Sequence, residues 1–199
     1  MLLIGKEAPD FTASAVMSDN SIMDLFNLSS FVHNKKAVLF FYPLDFTFVC
    51  PSEIIALDKH ISEFEKRGVI VMTISVDSHF THLAYKNTPV SKGGIGQVKM
   101  PMISDLTKKI ATDYGVLSSG GVAFRGTFIL DQHQIVRHQS INDLPLGRSI
   151  DEILRLIDAL THFEKNGEVC PANWKNGDNA IVPTTSGIEN YLKNNADKL

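Results

Sequence analysis

A strand–helix–strand pattern between residues 35 and 77 constrains the fold of this 199-residue chain more than any other feature. The run KKAVLFFY (Lys35–Tyr42) is short, apolar and continuous, which is typical of a strand buried on both faces. A helical apolar period follows Pro51 and ends at Gly68, a residue that tolerates the positive φ of a helix C-terminus. The β-branched run VIVMTISVD (Val69–Asp77) predicts a second strand. Strands joined in this way are parallel and have a right-handed crossover, so the pattern predicts an α/β fold.

The rest of the chain predicts further helices and one hairpin. THLAYKNTPV indicates a short helix that stops before Pro89, and DLTKKIATDYGV indicates another, with Asp105 as its N-cap. FRGTFIL and QIVRHQS flank a DQH turn and predict an antiparallel hairpin. Ser149 and Glu152 form a capping box in front of a long amphipathic helix. From 166 to 185 the chain is rich in Gly, Asn, Pro and Lys, which predicts an extended arm before a last short helix.

Composition narrows the class of protein. Hydrophobic residues make up 44% of the chain and charged residues 21%, so a packed core is expected. The net charge is −3 and Lys and Arg form no block, which argues against a nucleic-acid partner. We expect neither a signal peptide nor a membrane span, and hence a soluble cytoplasmic protein. In that compartment the two cysteines are expected to be redox-active or inert rather than a disulfide framework.

Cys50 lies between the first predicted strand and Pro51. If Pro51 is the first helical residue, Cys50 is the N-cap, and the first-turn N–H groups and the helix dipole favour its thiolate. The alternative is a buried cysteine that acts as a small hydrophobe, and the sequence by itself leaves the two interpretations equal. Thr47, three residues earlier, could direct its hydroxyl to the same place. Its alternative is an ordinary loop threonine.

Several segments resemble one family in the same order along nearly the whole chain. PLDFTFVC, from Pro43 to Cys50, has the Pro-x-x-x-Thr-x-x-Cys pattern of peroxiredoxins. GEVCPANWKNGD, around Cys170, is similar to the resolving-cysteine segment of the typical 2-Cys subgroup. DYGV, FRGTFILD, NDLPLGRS and DEILRLIDAL also resemble that subgroup, to which the peroxidase component of bacterial alkyl hydroperoxide reductase belongs. The resemblance implies a thioredoxin-like fold, a central mixed β-sheet flanked by helices, with a C-terminal arm.

The resemblance also implies the roles of individual residues. Cys50 corresponds to the peroxidatic cysteine, which becomes a sulfenic acid, and Cys170 to the resolving cysteine, which converts it into an intersubunit disulfide. Thr47 would hydrogen-bond the peroxide and the thiolate, and Pro43 would shield the pocket. Arg125 matches the arginine that stabilises the charge developing on the peroxide oxygens. Without the resemblance, Arg125 would be interpreted as a solvent-facing or ion-paired strand residue.

Two further residues match a network around that arginine. Glu53 and Arg148 are predicted to support Arg125, whereas their composition alone would suggest an exposed ion pair. His79 and His82 stand three apart, but this spacing without a cysteine cluster is weak, and we expect no metal site. A disulfide between Cys50 and Cys170 within one chain is a further alternative, and the absence of a signal segment argues against it.

The implied activity is the reduction of hydrogen peroxide and organic hydroperoxides without a cofactor. The implied electron donor is thioredoxin or a flavoprotein disulfide reductase, because the disulfide must be reduced by thiol exchange. The subgroup implies a homodimer and a decamer of five dimers. The alternative function is a redox-regulated oligomeric chaperone, or holdase, of the same fold. We predict a thioredoxin-like peroxidase domain over residues 1–165 and a C-terminal arm with the resolving cysteine over 166–199.

Overall fold

The computed structural model describes residues 1–198, and within them the strands form one mixed seven-stranded sheet in the order β2-β1-β5-β4-β3-β6-β7. The strands are β1 Thr12–Val16, β2 Ile22–Asn27, β3 Lys36–Phe41, β4 Val69–Ser75, β5 Met102–Ser104, β6 Arg125–Leu130 and β7 Val136–Asn142. The α-helices are α1 Leu28–Phe31, α2 Cys50–Lys59, α3 Ile61–Lys66, α4 His79–Asn87, α5 Lys109–Asp113, α6 Ile150–Asn166 and α7 Thr185–Asn195. Short 3₁₀ helices lie at Val90–Lys92 and Ala196–Lys198. The predicted thioredoxin-like α/β fold is confirmed.

The predicted strand–helix–strand unit is present at the centre of the sheet. β3 and β4 are parallel and pair from Lys36 with Val69 to Phe41 with Ile74. The helical segment between them is divided into α2 and α3 at His60, a break that the apolar period does not reveal. The second part ends before Gly68, whose φ of +68° is the conformation expected there.

The predicted hairpin of β6 and β7 is also present, and it pairs with the central unit. β6 runs antiparallel to both β3 and β7. Thr127 pairs with Phe40, so Arg125, two residues earlier, lies at the end of β3 where the chain leaves for Cys50. This register brings Cys50 and Arg125, which are 75 positions apart in sequence, together at one end of the central strands.

Three strands were not predicted. β1 and β2 form an antiparallel hairpin at one side of the sheet, and β1 pairs with the three-residue β5. Four of the six β2 residues are exposed in succession, so its sequence lacks the alternation by which a half-buried strand is recognised. β5 is too short to give a periodic signal. β1 and β5, which are far apart in sequence, are stabilised by pairing with each other, and β2 is stabilised by its hairpin with β1.

The prediction of Asp105 as a helix N-cap was wrong in its position. α5 begins at Lys109, preceded by Lys108 in a left-handed conformation with φ +62°. Asp105 nevertheless accepts hydrogen bonds from the backbone N–H groups of Ile110 and Ala111, at 3.0 and 2.7 Å. Its carboxylate therefore satisfies first-turn donors from a position further upstream than a cap residue.

The chain divides into two compact units, and the first comprises Met1–Arg148. Its apolar core contains residues from β1 to β7, with Phe41, Tyr114 and Phe128 in mutual edge or tilted ring contacts. Across residues 1–198, no helix has the length and apolar character needed to cross a membrane.

The second unit begins at Ser149. The predicted capping box is present, since Ser149 Oγ accepts a hydrogen bond from the N–H of Glu152 at 3.2 Å. The segment after α6 is not simply extended, because Trp174 is buried and Val169 forms a bridge with Ile181. The predicted boundary between 165 and 166 lies at the end of α6, inside this unit, and stays a prediction.

Candidate active site

Cys50 is the first residue of α2, at the end of the loop that leaves β3. The predicted N-cap position is therefore wrong by one residue, because Val49 already has helical dihedral angles of φ −86° and ψ −37° and is the N-cap. The N–H groups of Ser52 and Glu53 donate to the carbonyl of Val49, at 3.1 and 3.3 Å. The sulfur still lies in the first turn, where the positive end of the helix dipole favours a negative charge.

The hydroxyl of Thr47 touches the sulfur of Cys50. Thr47 Oγ1 lies 2.9 Å from Cys50 Sγ and 2.9 Å from the carbonyl oxygen of Leu44. A hydroxyl has one proton to donate, so it can donate either to the Leu44 carbonyl or to the sulfur. The thiolate is the stronger acceptor of the two, since its charge strengthens the bond. The loop thus places a hydroxyl donor within hydrogen-bond distance of the sulfur.

Arg125 reaches the same sulfur from β6. Its Nη1 lies 3.4 Å from Cys50 Sγ, and its Nε donates to the carbonyl of Leu144 at 2.7 Å. The residue is 3% exposed, which excludes the solvent-facing alternative. Arg125 begins β6, where it pairs with Asn142 of β7, and the two hydrogen bonds fix the plane of its guanidinium.

Glu53 holds two arginines together. One carboxylate oxygen, Oε2, accepts from Arg125 Nη1 at 2.7 Å and from Arg148 Nη2 at 3.1 Å. The other, Oε1, accepts from the backbone N–H and the Nε of Arg148, both at 2.9 Å. The side chains of all three are at most 4% exposed, so this is a buried network rather than the exposed ion pair that composition suggested.

The charges of this cluster do not cancel without the sulfur. Two guanidinium groups and one carboxylate sum to +1, and a Cys50 thiolate brings the buried cluster to zero. An uncompensated buried charge is costly, so the cluster is suited to a negatively charged group beside the guanidinium groups. Burial lowers the pKa of Arg148 below its usual value, and the hydrogen bonds and charge of Glu53 oppose that shift. The Arg148 guanidinium also lies over the ring of Phe40, 3.3 Å from its centroid.

Several groups at the site were not found from sequence. The carbonyls of Leu144 and Gly126 accept from Arg125 and Arg148, at 2.7 and 2.8 Å, and any residue type can supply such backbone acceptors. Gly126 had a signal, since a glycine inside a strand marks a close approach. A Cβ there would lie 2.8 Å from Val116 Cγ1.

Unlike Thr47 and Arg125, Pro43 makes no hydrogen bond to the Cys50 sulfur among the described residues. It is buried in the loop between β3 and α2. Its role in shielding the pocket stays a prediction.

A second buried polar network holds the loop that precedes Cys50. Asp45 accepts from the hydroxyl of Tyr42 at 2.6 Å and lies 2.8 Å from Nδ1 of His82. The other ring nitrogen of His82 lies 3.2 Å from the carbonyl of Ile103. Both ring nitrogens of His82 therefore face oxygen atoms inside this buried network. Asp45 thereby ties the loop to α4 and β5.

Cys170 lies in the second unit, in the turn that follows α6. It is half-buried, and its Sγ lies 3.6 Å from the carbonyl oxygen of Ala159 in α6. Both cysteines are free thiols. Within residues 1–198, His, Cys, Asp and Glu side chains form no group of three or more that could hold a metal ion.

A reactive thiol in the first turn of a helix, with a hydroxyl and a guanidinium directed at the sulfur, on a thioredoxin-like sheet, defines a thiol peroxidase. Family models agree: residues 4–139 match the AhpC/TSA family, and residues 159–194 match the C-terminal domain of 1-Cys peroxiredoxin.

Individual relatives are similar over nearly their full length. Alkyl hydroperoxide reductase C of Helicobacter pylori is 52% identical over 198 residues, covering 100% of both chains. Peroxiredoxin-1 of Gallus gallus is 52% identical over 95% of this chain and 94% of that protein. The crystal structure of a reduced Plasmodium vivax 2-Cys peroxiredoxin superimposes with a TM-score of 0.94 at 51% identity, covering 97% of this chain and 100% of that one. The chain belongs to the AhpC/TSA family of peroxiredoxins and is an antioxidant oxidoreductase with thiol peroxidase activity.

Proposed function

We propose that the chain reduces hydrogen peroxide and organic hydroperoxides through Cys50, with Cys170 of a second protomer as the resolving cysteine. The observation that carries the proposal is the convergence of Thr47 and Arg125 on the Cys50 sulfur, at 2.9 and 3.4 Å. A peroxide has a weak O–O bond, so its cleavage needs an activated nucleophile and stabilisation of the departing oxygen rather than a cofactor.

The first step is the attack of the Cys50 thiolate on one peroxide oxygen. A sulfur–oxygen bond forms and the O–O bond breaks, so that Cys50 becomes a sulfenic acid and the other oxygen leaves as an alkoxide or hydroxide that takes up a proton. Thr47 and Arg125 donate hydrogen bonds to the oxygens as negative charge moves onto them. Glu53 and Arg148 keep the guanidinium of Arg125 in place, and Pro43 limits access of water.

The second step joins Cys170 to Cys50 as a disulfide and releases water. Cys50 is fully buried, and two sulfurs must approach to about 2.05 Å to bond. The first turn of α2 therefore unwinds to expose the sulfenic acid. Support for a resolving role of Cys170 comes from the similar Plasmodium vivax protein, which is described as a 2-Cys peroxiredoxin.

The proposed partners are a disulfide reductant and further copies of this chain. The disulfide is reduced by a dithiol exchange protein, thioredoxin or a flavoprotein disulfide reductase, in the cytoplasm. The chain forms homodimers that assemble into a decamer of five dimers. The exposed rings of Phe46 and Phe48, 48% and 98% accessible in the loop before Cys50, support association through this surface.

The test is peroxide consumption with dithiothreitol as the reductant. Turnover is expected to disappear in Cys50→Ser and to persist in Cys170→Ser, because a small dithiol can resolve the sulfenic acid itself. Turnover that survives Cys50→Ser would rule out Cys50 as the peroxidatic residue. The same assay distinguishes the peroxidase from the alternative function. A holdase that is not a peroxidase would consume no peroxide, whether as the wild type or as Cys170→Ser.

A further inference from the structure

One face of α6 carries the turn that contains Cys170. Arg155, Ala159 and His162 are spaced by four and three residues, so they lie on the same side of the helix. Arg155 contacts the backbone of Trp174, Ala159 contacts the sulfur of Cys170, and the ring of His162 lies 5.1 Å from the ring of Trp174. The resolving cysteine is therefore held by a defined set of contacts within its own unit.

Arg155 makes the charged contact of this set. Its Nε and Nη2 donate to the two carboxylate oxygens of Glu152, at 2.7 and 2.8 Å, which fixes the plane of the guanidinium. Its remaining nitrogen, Nη1, donates to the carbonyl of Trp174 at 3.1 Å. The side chain of Arg155 is 25% exposed, so the pair is only partly screened by water.

The surroundings of Cys170 favour the protonated thiol over the thiolate. Its S–H is placed to donate to the Ala159 carbonyl at 3.6 Å, a bond that only the thiol can make. Burial raises the pKa of Cys170 above its ordinary value, the charge of Arg155 opposes that rise, and the charge of Glu168 adds to it. Glu168 is itself paired with His162, whose Nε2 lies 2.9 Å from the carboxylate.

We propose that Arg155 is a positioning residue for the resolving reaction, holding the Cys170 turn against α6 and stabilising the attacking thiolate. The inference rests on the proposed role of Cys170. In that step the Cys170 thiol gives its proton to solvent, and the thiolate attacks the sulfur of the Cys50 sulfenic acid. A sulfur–sulfur bond forms, the sulfur–oxygen bond breaks, and the leaving hydroxide is protonated to water. The charge of Arg155 opposes the rise in the pKa of Cys170 and so increases the fraction of thiolate at neutral pH.

The position of Trp174 provides the readout. It is the single tryptophan of the chain, and its carbonyl accepts from Arg155, so its fluorescence reports on the turn itself. The reduced protein is mixed in a stopped-flow instrument with one equivalent of hydrogen peroxide, over a range of pH on both sides of neutrality. Quenched samples analysed by mass spectrometry assign the phases to sulfenic acid formation and disulfide formation.

We expect Arg155→Gln to slow disulfide formation about two- to fivefold near neutral pH, as for loss of a partly exposed charge contact. Its pH–rate profile should move to higher pH, while sulfenic acid formation stays unchanged. Arg155→Lys, which keeps the charge, should restore the position of the profile. Glu168→Gln should move the profile to lower pH, since it removes the opposite charge.

Lys165→Gln, at an exposed position in the last turn of α6, is the matched control and should change neither phase. The inference is overturned if the Arg155→Gln profile superimposes on that of the wild type. Slowing by one factor at every pH would support the positioning role and would overturn the stabilisation of the thiolate. Cys170→Ser tests the underlying assumption separately. A disulfide phase that persists in Cys170→Ser would contradict the proposed function, whatever Arg155 does.

Discussion

Replacing Glu53 with glutamine tests whether the buried arginine pair depends on a single carboxylate. The change keeps the size of the side chain but removes its charge and turns one acceptor oxygen into an N–H donor. If the amide nitrogen takes the place of Oε2, it faces the donors of Arg125 and Arg148 that lie 2.7 and 3.1 Å away. Two guanidinium groups then remain buried without the carboxylate that pairs with both of them.

The expected loss in free energy of unfolding is about 3–5 kcal/mol, the range for breaking a buried ion pair by removing one partner. Glu63→Gln is the matched control, because Glu63 pairs with Lys66 and Arg67 at the surface, where its side chain is 39% exposed. An exposed ion pair contributes only about 0–1 kcal/mol. The two substitutions have the same chemistry and differ in burial.

The measurement is urea unfolding of the reduced wild type and both variants, at one protein concentration because association also affects apparent stability. We expect a large fall in the unfolding midpoint for Glu53→Gln and almost none for Glu63→Gln. If Glu53→Gln stays within about 1 kcal/mol of Glu63→Gln, Glu53 does not neutralise a buried cluster.

Two further predictions concern single contacts. Thr47→Val keeps the shape of the side chain but removes the donor 2.9 Å from the sulfur, so the rate constant of Cys50 with peroxide should fall about 10- to 100-fold. The rate constants are compared in a competition assay for hydrogen peroxide, in which Thr47→Ser should recover most of the rate. An unchanged Thr47→Val rate would count against the hydrogen bond. Gly126→Ala places a Cβ 2.8 Å from Val116 and should cost about 1–3 kcal/mol in thermal or urea unfolding. Gly120→Ala, whose Cβ would meet its nearest neighbour at an ordinary 3.6 Å, should cost much less, and equal losses would refute the packing explanation.

The fold was predictable where the signal is local. The run before Tyr42, the proline at 51 and the glycine at 68 each determine backbone conformation within a few residues, and β3, the helical segment and β4 followed from them. β1, β2 and β5 were missed because their residues carry no clear period. β1 and β5 become strands by pairing with each other across a long stretch of sequence, and β2 by its hairpin with β1.

The site residues also include some that a local sequence signal predicts and others that it does not. Thr47 and Cys50 are three residues apart, and this spacing alone indicated that their side chains could meet. Arg125 reaches the Cys50 sulfur, and Arg148 reaches Glu53, only through the packing of β6 and the course of the loop after β7. Only the resemblance to peroxiredoxins could therefore identify them. The carbonyls of Leu144 and Gly126 have no side-chain signature, and nothing in the sequence could have assigned them as acceptors.

The most direct test of the proposed chemistry is peptide mapping of the disulfide formed after one equivalent of hydrogen peroxide. We expect a linked peptide pair containing Cys50 and Cys170, found in the dimer band on non-reducing electrophoresis and lost in either cysteine-to-serine variant. A linked pair found only in the monomer band, or a Cys50 oxidised without any bond to Cys170, would contradict it.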